Sequence, residues 1–279
     1  MKPLQVLAFL ILLTSLRSAE ADELKVLTHN VWYGFTQGKP ERHQDFRDWV
    51  KAQTPDIVAL QELNGYNEEK LKADAASWGH EYFALLKTDG FPTGITSNKP
   101  ITKITRQLDG FHHGLLKATT HGHPVYVIHL HPSNWKTRIQ EIDTIVKLTE
   151  KNAIILGDFN TFSKRDKPAY DSGQLVPFFS NRDKAMGEKN LKEGALGYEV
   201  ISKIEFAGFV DIVAKLRKSF GGTFPTKLRA HENHGDHRRL DYIFVSKEMA
   251  EKCISASVID NQITQMLSDH LPLVATFQD

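Results

Sequence analysis

The sequence predicts an α/β fold built from mixed β-sheets, and three observations lead there. Short runs rich in β-branched and aromatic residues recur along its 279 residues. Amphipathic helical segments separate some of these runs, and turns too short for a crossover separate others. A doubly wound parallel sheet would need a helix after nearly every strand, so the mixture argues against it.

Strands are expected at 24–30, Ile57–Gln61, 82–86, 115–119, 125–129, Ile154–Asp158, 240–245 and 273–277. The first helix, Arg42–Gln53, stops at the Thr54-Pro55 break. A second spans 67–78. The third, 135–150, carries Ile139, Ile142, Ile145, Val146 and Thr149 on one stripe behind an Asn134 N-cap. A fourth covers 198–207. Residues 161–197 lack periodicity, are rich in Lys, Asp, Gly and Ser, and hold Pro168 and Pro177. Such a stretch is either a substrate-facing loop or a mobile surface insertion.

Residues 1–21 read as a secretory signal peptide: Lys2 at the start, an apolar run over 4–16, and Ala19-Glu20-Ala21 at the cut. The run is too short to span a bilayer, and no cysteine near the cut would carry a lipid. The expected product is one domain, 22–279, secreted or periplasmic, monomeric and without stable membrane insertion. The full chain carries a net charge of +1, and loss of the leader leaves it near neutral. That excludes tight nonspecific nucleic-acid binding through many phosphate contacts. The one cysteine, Cys253, excludes an internal disulfide and argues against thiolate zinc sites or thiol catalysis; it reads as a small buried hydrophobe.

The richest segment is Ala153-Ile154-Ile155-Leu156-Gly157-Asp158-Phe159-Asn160. A buried strand ends at Gly157, and Asp158 and Asn160 then project to the same face. They could hold a water, a metal or a phosphate oxygen, or simply close an Asx turn. Other strand ends carry polar groups as well: Asn30, Glu62, His129 with His131 on the same face, Asp241, and Asp269-His270 before the last strand. Asn and carboxylate oxygens suit Mg²⁺, and histidines transfer protons near neutral pH.

These blocks resemble the endonuclease/exonuclease/phosphatase superfamily, which shares the fold of deoxyribonuclease I. The matching residues are Asn30, Gln61-Glu62, His129-Leu130, Gly157-Asp158-Phe159-Asn160, Arg239-Leu240-Asp241-Tyr242 and Ser268-Asp269-His270, in the family's order across almost the whole mature chain. The resemblance is to a secreted bacterial-type member. It implies a four-layer α/β sandwich, two mixed sheets face to face with helices outside. It also implies Glu62 as principal Mg²⁺ ligand, helped by Asn30 and Asp269, with Mn²⁺ as a substitute. Asp158 would orient or deprotonate the attacking water. Asn160 would contact a nonbridging phosphate oxygen or position that water. His270, its tautomer fixed by Asp241, would stabilise the phosphorane charge, and His129 would serve the leaving group.

Arg239, His131 and Lys164 are the candidate substrate contacts, with a surface ion pair to Asp236 as the alternative for Arg239 and its neighbour Arg238. His112-His113 precede a strand and could border the site. The polar setting of His231, His234 and His237 reads as a solvated loop rather than a transition-metal site. Phe178-Phe179 could contact lipid or a base, though packing onto their own domain fits a short aromatic pair better. The expected substrate is a phosphodiester, either nucleic acid or a phospholipid head group, cleaved by a phosphodiesterase or nuclease, with a sphingomyelinase-like phospholipase C or a small-molecule phosphatase of the same superfamily as the alternative. Asn160-Thr161-Phe162 and Phe224-Pro225-Thr226 depart from the inositol-polyphosphate phosphatases, and export argues against abasic-site repair. An inactive binding module would lack Glu62, Asp158, Asn160, Asp241 or His270; all are present.

Overall fold

The computed structural model describes residues 23–278 apart from 172, 230, 231 and 233. The expected leader, 1–21, and His231 lie outside the described residues. Strands β1 (Glu23–Asn30), β2 (Ile57–Gln61), β3 (Tyr82–Leu85), β4 (Gly94–Ser97), β5 (Thr102–Gln107) and β6 (Leu115–Thr120) come first. They are followed by β7 (His123–His129), β8 (Ile154–Asp158), β9 (Phe209–Asp211), β10 (Asp241–Ser246), β11 (Cys253–Val258) and β12 (Leu273–Gln278). The helices are α1 (Arg42–Gln53), α2 (Glu68–Ser77), α3 (Trp135–Leu148), α4 (Lys167–Tyr170) and α5 (Leu175–Met186). After them come α6 (Glu199–Phe206) and the short α7 (Ile212–Leu216) and α8 (Lys247–Glu251).

Two six-stranded sheets result, in the orders β11-β12-β1-β2-β4-β3 and β5-β6-β7-β8-β10-β9. Each holds one parallel pair, β1 with β2 and β7 with β8, among antiparallel neighbours. The parallel pairs are the ones joined by a helix, α1 and α3, because a parallel return needs a crossover. The strand periodicity then decides the layers. Val26, Ile57 and Ala59 of the first sheet meet Val127, Leu156 and Ile243 of the second in a central core. Their neighbours on the opposite face, Leu27, Val58 and Leu60, pack under Phe46, Trp49 and Leu71 of α1 and α2. In the second sheet Tyr126, Ile155 and Phe244 pack under Ile142, Ile145 and Ile201 of α3 and α6. Helix, sheet, sheet and helix thus stack as four layers, as the family resemblance implies. Each fully buried aliphatic side chain in these cores contributes about 1.5–3 kcal/mol.

The helices end where local chemistry dictates. Asn67 accepts from the Lys70 N–H and Asn134 from those of Lys136 and Thr137, so both act as N-caps. Thr149 turns to an extended conformation, and α3 ends at Leu148 rather than at 150. The stretch 161–197 departs from its irregular expectation, since it contains α4 and α5. Pro177 sits in the first turn of α5, where its missing N–H is not needed. Cys253 is half-buried on edge strand β11 rather than a core residue.

Register assembles the site. Asn30 pairs with Gln61 at the ends of β1 and β2, so Asn30 and Glu62 leave the first sheet side by side. His129 pairs with Asp158, and Asp158 with Asp241, so three consecutive strands of the second sheet deliver one residue each.

Candidate active site

Backbone strain concentrates at this end of the sandwich. Glu62 (φ 60°), Asn160 (φ 49°), Trp32 (φ 55°) and Tyr33 (φ 52°) are all left-handed, a conformation that costs non-glycine residues free energy. Gly157 (φ 134°) makes the close approach possible: a Cβ there would stand 2.1 Å from the Ile128 carbonyl oxygen. Any side chain at this position would push β8 away from β7 and carry Asp158 with it.

Asp158 is buried at the centre. Its Oδ2 accepts from Asn30 Nδ2 at 3.0 Å, and its Oδ1 from the Asn160 N–H at 2.9 Å. The Asn30 amide also donates to Glu62 Oε1 at 3.1 Å, while Asn30 Oδ1 accepts from the Trp32 N–H. That last bond fixes the amide orientation, because a flipped amide would set two donors against each other. Asn30 therefore clamps two carboxylates as a donor, while its oxygen is engaged by the Trp32 N–H. Asn160 Nδ2 donates to the Leu130 carbonyl, which leaves Oδ1 on the cleft side to accept from a water.

The two histidines differ in kind. His270 Nδ1 lies 2.8 Å from Asp241 Oδ2, and its Nε2 lies 3.8 Å from Asp158 Oδ2. Burial opposes the charge on this imidazole, but Asp241 and Asp158 outweigh it and raise its pKa. Asp158 is raised in turn, chiefly by burial, with the His270 charge pulling the other way. The ligand atoms of Asp158, Asp241 and His270 lie within 4.8 Å of one another, and the short His270–Asp241 bond marks them as a proton-handling group. His129 Nε2 is 3.6 Å from Asp158 Oδ2, yet burial and then the neighbouring His113 hold its pKa well below the ordinary imidazole value. The same cleft thus favours the charged form of one imidazole and the neutral form of the other.

His129 belongs to a pile of four rings. His113 stacks on it at 4.1 Å, His112 touches His113 at 4.4 Å, and His131 stacks on His112 at 3.9 Å. Buried Glu141 pins this corner by accepting from the N–H groups of His112 and His131. The sequence placed His112-His113 near the site, and the stacking is the contact it could not show.

A cleft of about 350 Å³ opens over these groups. Glu62, His129, Asp158, Asn160, Asp269 and His270 face it, so the structure brings most of the expected residues together. Trp32, Tyr33, Phe178, Phe179 and Phe224 line its walls with Arg182, Arg229, Arg238 and His234. His234 is therefore a wall residue, bonded to Glu232, rather than part of a solvated loop. Three substrate assignments need correction. Arg239 is fully buried, with Nε 2.8 Å from Asp166 and Nη1 2.6 Å from Asp211. His131 lies at the far end of the histidine pile, and Lys164 is exposed on the 3₁₀ turn Lys164–Asp166; neither lines the cleft. Arg229 carried no signal in the sequence. Its guanidinium stands over Trp32 and pairs with Asp269 at 2.9 Å.

Glu62 and Asp269 are the carboxylate candidates for a cation. Glu62 is raised by burial first and by the nearby Asp269 carboxylate second. These two carboxylates, both facing a polar cleft, offer the hard oxygen donors that fit a divalent ion of the Mg²⁺ or Mn²⁺ type. Glu62 would hold it, with Asp269 beside it.

The sandwich, and the carboxylate, amide and imidazole cluster at its end, define a hydrolase of the deoxyribonuclease I-like class. The endonuclease/exonuclease/phosphatase family profile matches residues 27–270, and the chain belongs to that family of phosphoester hydrolases, which typically depend on a divalent metal. An AP endonuclease from Archaeoglobus fulgidus has the same fold, with 20% identity, a TM-score of 0.69, and 92% of this chain and 100% of that one covered. A 3'-5' exonuclease (NExo) from Neisseria meningitidis is 19% identical, with a TM-score of 0.66 over 92% and 100%. A Neisseria 3' phosphatase bound to a product DNA hairpin is 18% identical, with a TM-score of 0.65 over 91% and 99%. At such identities the likeness is one of fold. A search of curated proteins returns no match.

Proposed function

We propose that this protein is a secreted, Mg²⁺-dependent phosphodiesterase of the nuclease type. The observation that carries the reading is Asp158, buried between the Asn30 amide and the His270–Asp241 pair and open to the cleft. A water accepted by Asp158 and Asn160 Oδ1 is poised for in-line attack, and Asp158, raised by burial, takes its proton. Charged His270 donates to the oxygen on which negative charge develops, held in one tautomer by Asp241. Neutral His129 supports the departing oxygen as a hydrogen-bond donor, a role its low basicity permits. Mg²⁺ bound at Glu62 and Asp269 would supply charge neutralisation at the phosphoryl oxygens.

Cleft aromatics interleaved with arginines suit bases and phosphates of a short single-stranded segment. The near-neutral chain supports capture of such a segment locally rather than along a duplex. Residues 1–21 act as the export leader, and the enzyme works as a monomer outside the cytoplasm; N-terminal sequencing of exported protein, expected to begin at Asp22, checks the first. The substrate test offers plasmid DNA, RNA, sphingomyelin and bis-p-nitrophenyl phosphate with Mg²⁺. Turnover of DNA or RNA supports the nuclease reading. Turnover of sphingomyelin alone would replace it with a phospholipase.

A further inference from the structure

Resting on that phosphodiesterase reading, we infer that Arg238 binds a second anionic group of the substrate, a phosphate flanking the one cleaved. Three guanidinium groups line the cleft, and two are already neutralised. Arg182 pairs with Glu188 at 2.6 Å, and Arg229 pairs with Asp269 and Glu232. Arg238 has no carboxylate within ion-pairing distance among the described residues, although it is only 6% exposed. Its Nη1 donates to the carbonyls of His234 and Asp236, and its Nε is a buried donor with no partner.

A buried cation without an anion is expensive, and burial accordingly pulls this guanidinium down to about 9. The chain nevertheless holds it rigidly. Phe224, Phe179 and Phe178 pack on the guanidinium at 4.6, 5.3 and 5.6 Å. Phe224 also carries His270, at 4.9 Å. The shared ring keeps the guanidinium and the His270 imidazole along one wall of the cleft, so a substrate whose cleaved phosphate lies at His270 can present a second anionic group to Arg238. A planar fork fixed by ring stacking and lacking its own carboxylate is suited to a phosphate arriving with the substrate.

The assignment separates substrate classes. An oligonucleotide offers a phosphate beside the scissile one, whereas a phosphocholine lipid has a single phosphate. The experiment compares a dinucleotide holding one internal phosphodiester with the same dinucleotide carrying an added terminal phosphate. Values of kcat/KM with Mg²⁺, and affinities by calorimetry in EDTA, are measured for wild type, Arg238→Lys and Arg238→Gln. The added phosphate is expected to improve both by at least about tenfold in wild type, by less in Arg238→Lys and hardly at all in Arg238→Gln. Because the readout is a ratio within one preparation, a partly misfolded variant does not distort it. A wild-type ratio near one, or a ratio preserved in Arg238→Gln, overturns the assignment. Failure of wild type to cleave either dinucleotide or bis-p-nitrophenyl phosphate sinks the phosphodiesterase reading instead, and the affinity ratio still decides the fate of Arg238.

Discussion

His270 Nδ1 and Asp241 Oδ2 meet at 2.8 Å across the join between the two sheets, one residue entering β10 and the other approaching β12. The bond specifies which imidazole nitrogen faces Asp158. Asp241 is itself held by the Thr223 hydroxyl, which accepts from its backbone N–H at 3.3 Å. Asp241→Asn keeps the shape and removes the charge. We expect kcat to fall by about 10²–10⁴-fold with little change in KM, read from steady-state kinetics. An unchanged kcat would show that His270 works without its partner.

Asn30 makes a sharper test because two readings of it predict opposite results. As a donor to Glu62 and Asp158, it cannot become an aspartate without crowding three carboxylates together. Asn30→Asp should therefore lose about 10²-fold in kcat at saturating Mg²⁺. An oxygen ligand would instead gain metal affinity from the added charge. Titrating activity against Mg²⁺ distinguishes the two.

Arg239 should act on stability rather than on substrate. Replacing it with Gln leaves Asp166 and Asp211 facing each other in the interior, with only Arg217 paired to Asp166. Breaking a buried pair from one side costs about 3–5 kcal/mol. Urea unfolding of Arg239→Gln should show that loss, while KM of the folded fraction stays as in wild type.

The histidine pile makes acid stability a readout of His113. Burial, reinforced by His112 and Lys87, lowers its pKa to about 3. Between that value and the ordinary imidazole value the unfolded chain binds a proton that the folded chain refuses. Stability is therefore retained above about pH 6.5 and lost as pH falls toward 3, at up to roughly 1.4 kcal/mol per pH unit for this one group. His113→Phe keeps a ring against His129 and removes the titration. Its unfolding free energy should fall less steeply than that of wild type between pH 6.5 and 4.5.

Legibility in the sequence followed burial. Strands flanked by core on both faces, such as Ile57–Gln61 and Ile154–Asp158, stand out as apolar runs and lie at the middle of their sheets. Strands β5, β9 and β11 sit at sheet edges, and β5 is exposed along nearly its whole length, so no hydrophobic pattern marks it. Inner strand β4 is buried but built from Gly94, Ile95, Thr96 and Ser97, too small and short to read. Site residues at strand ends were legible because register converts adjacency of strands into adjacency of side chains. Arg238 and Arg239 show the limit. Adjacent residues entering a strand point to opposite sides, and only the packed structure reveals that Arg239 goes to the interior and Arg238 to the cleft.

The central claim is that buried Asp158 activates water for metal-dependent phosphodiester cleavage, and hydrolysis of bis-p-nitrophenyl phosphate by wild type and Asp158→Asn tests it most directly. With Mg²⁺ present the wild type should turn over and be silenced by EDTA, and the variant should lose at least about 10²-fold in kcat while unfolding at a similar urea concentration. Equal turnover by the folded variant, or wild-type turnover indifferent to EDTA, would contradict the account.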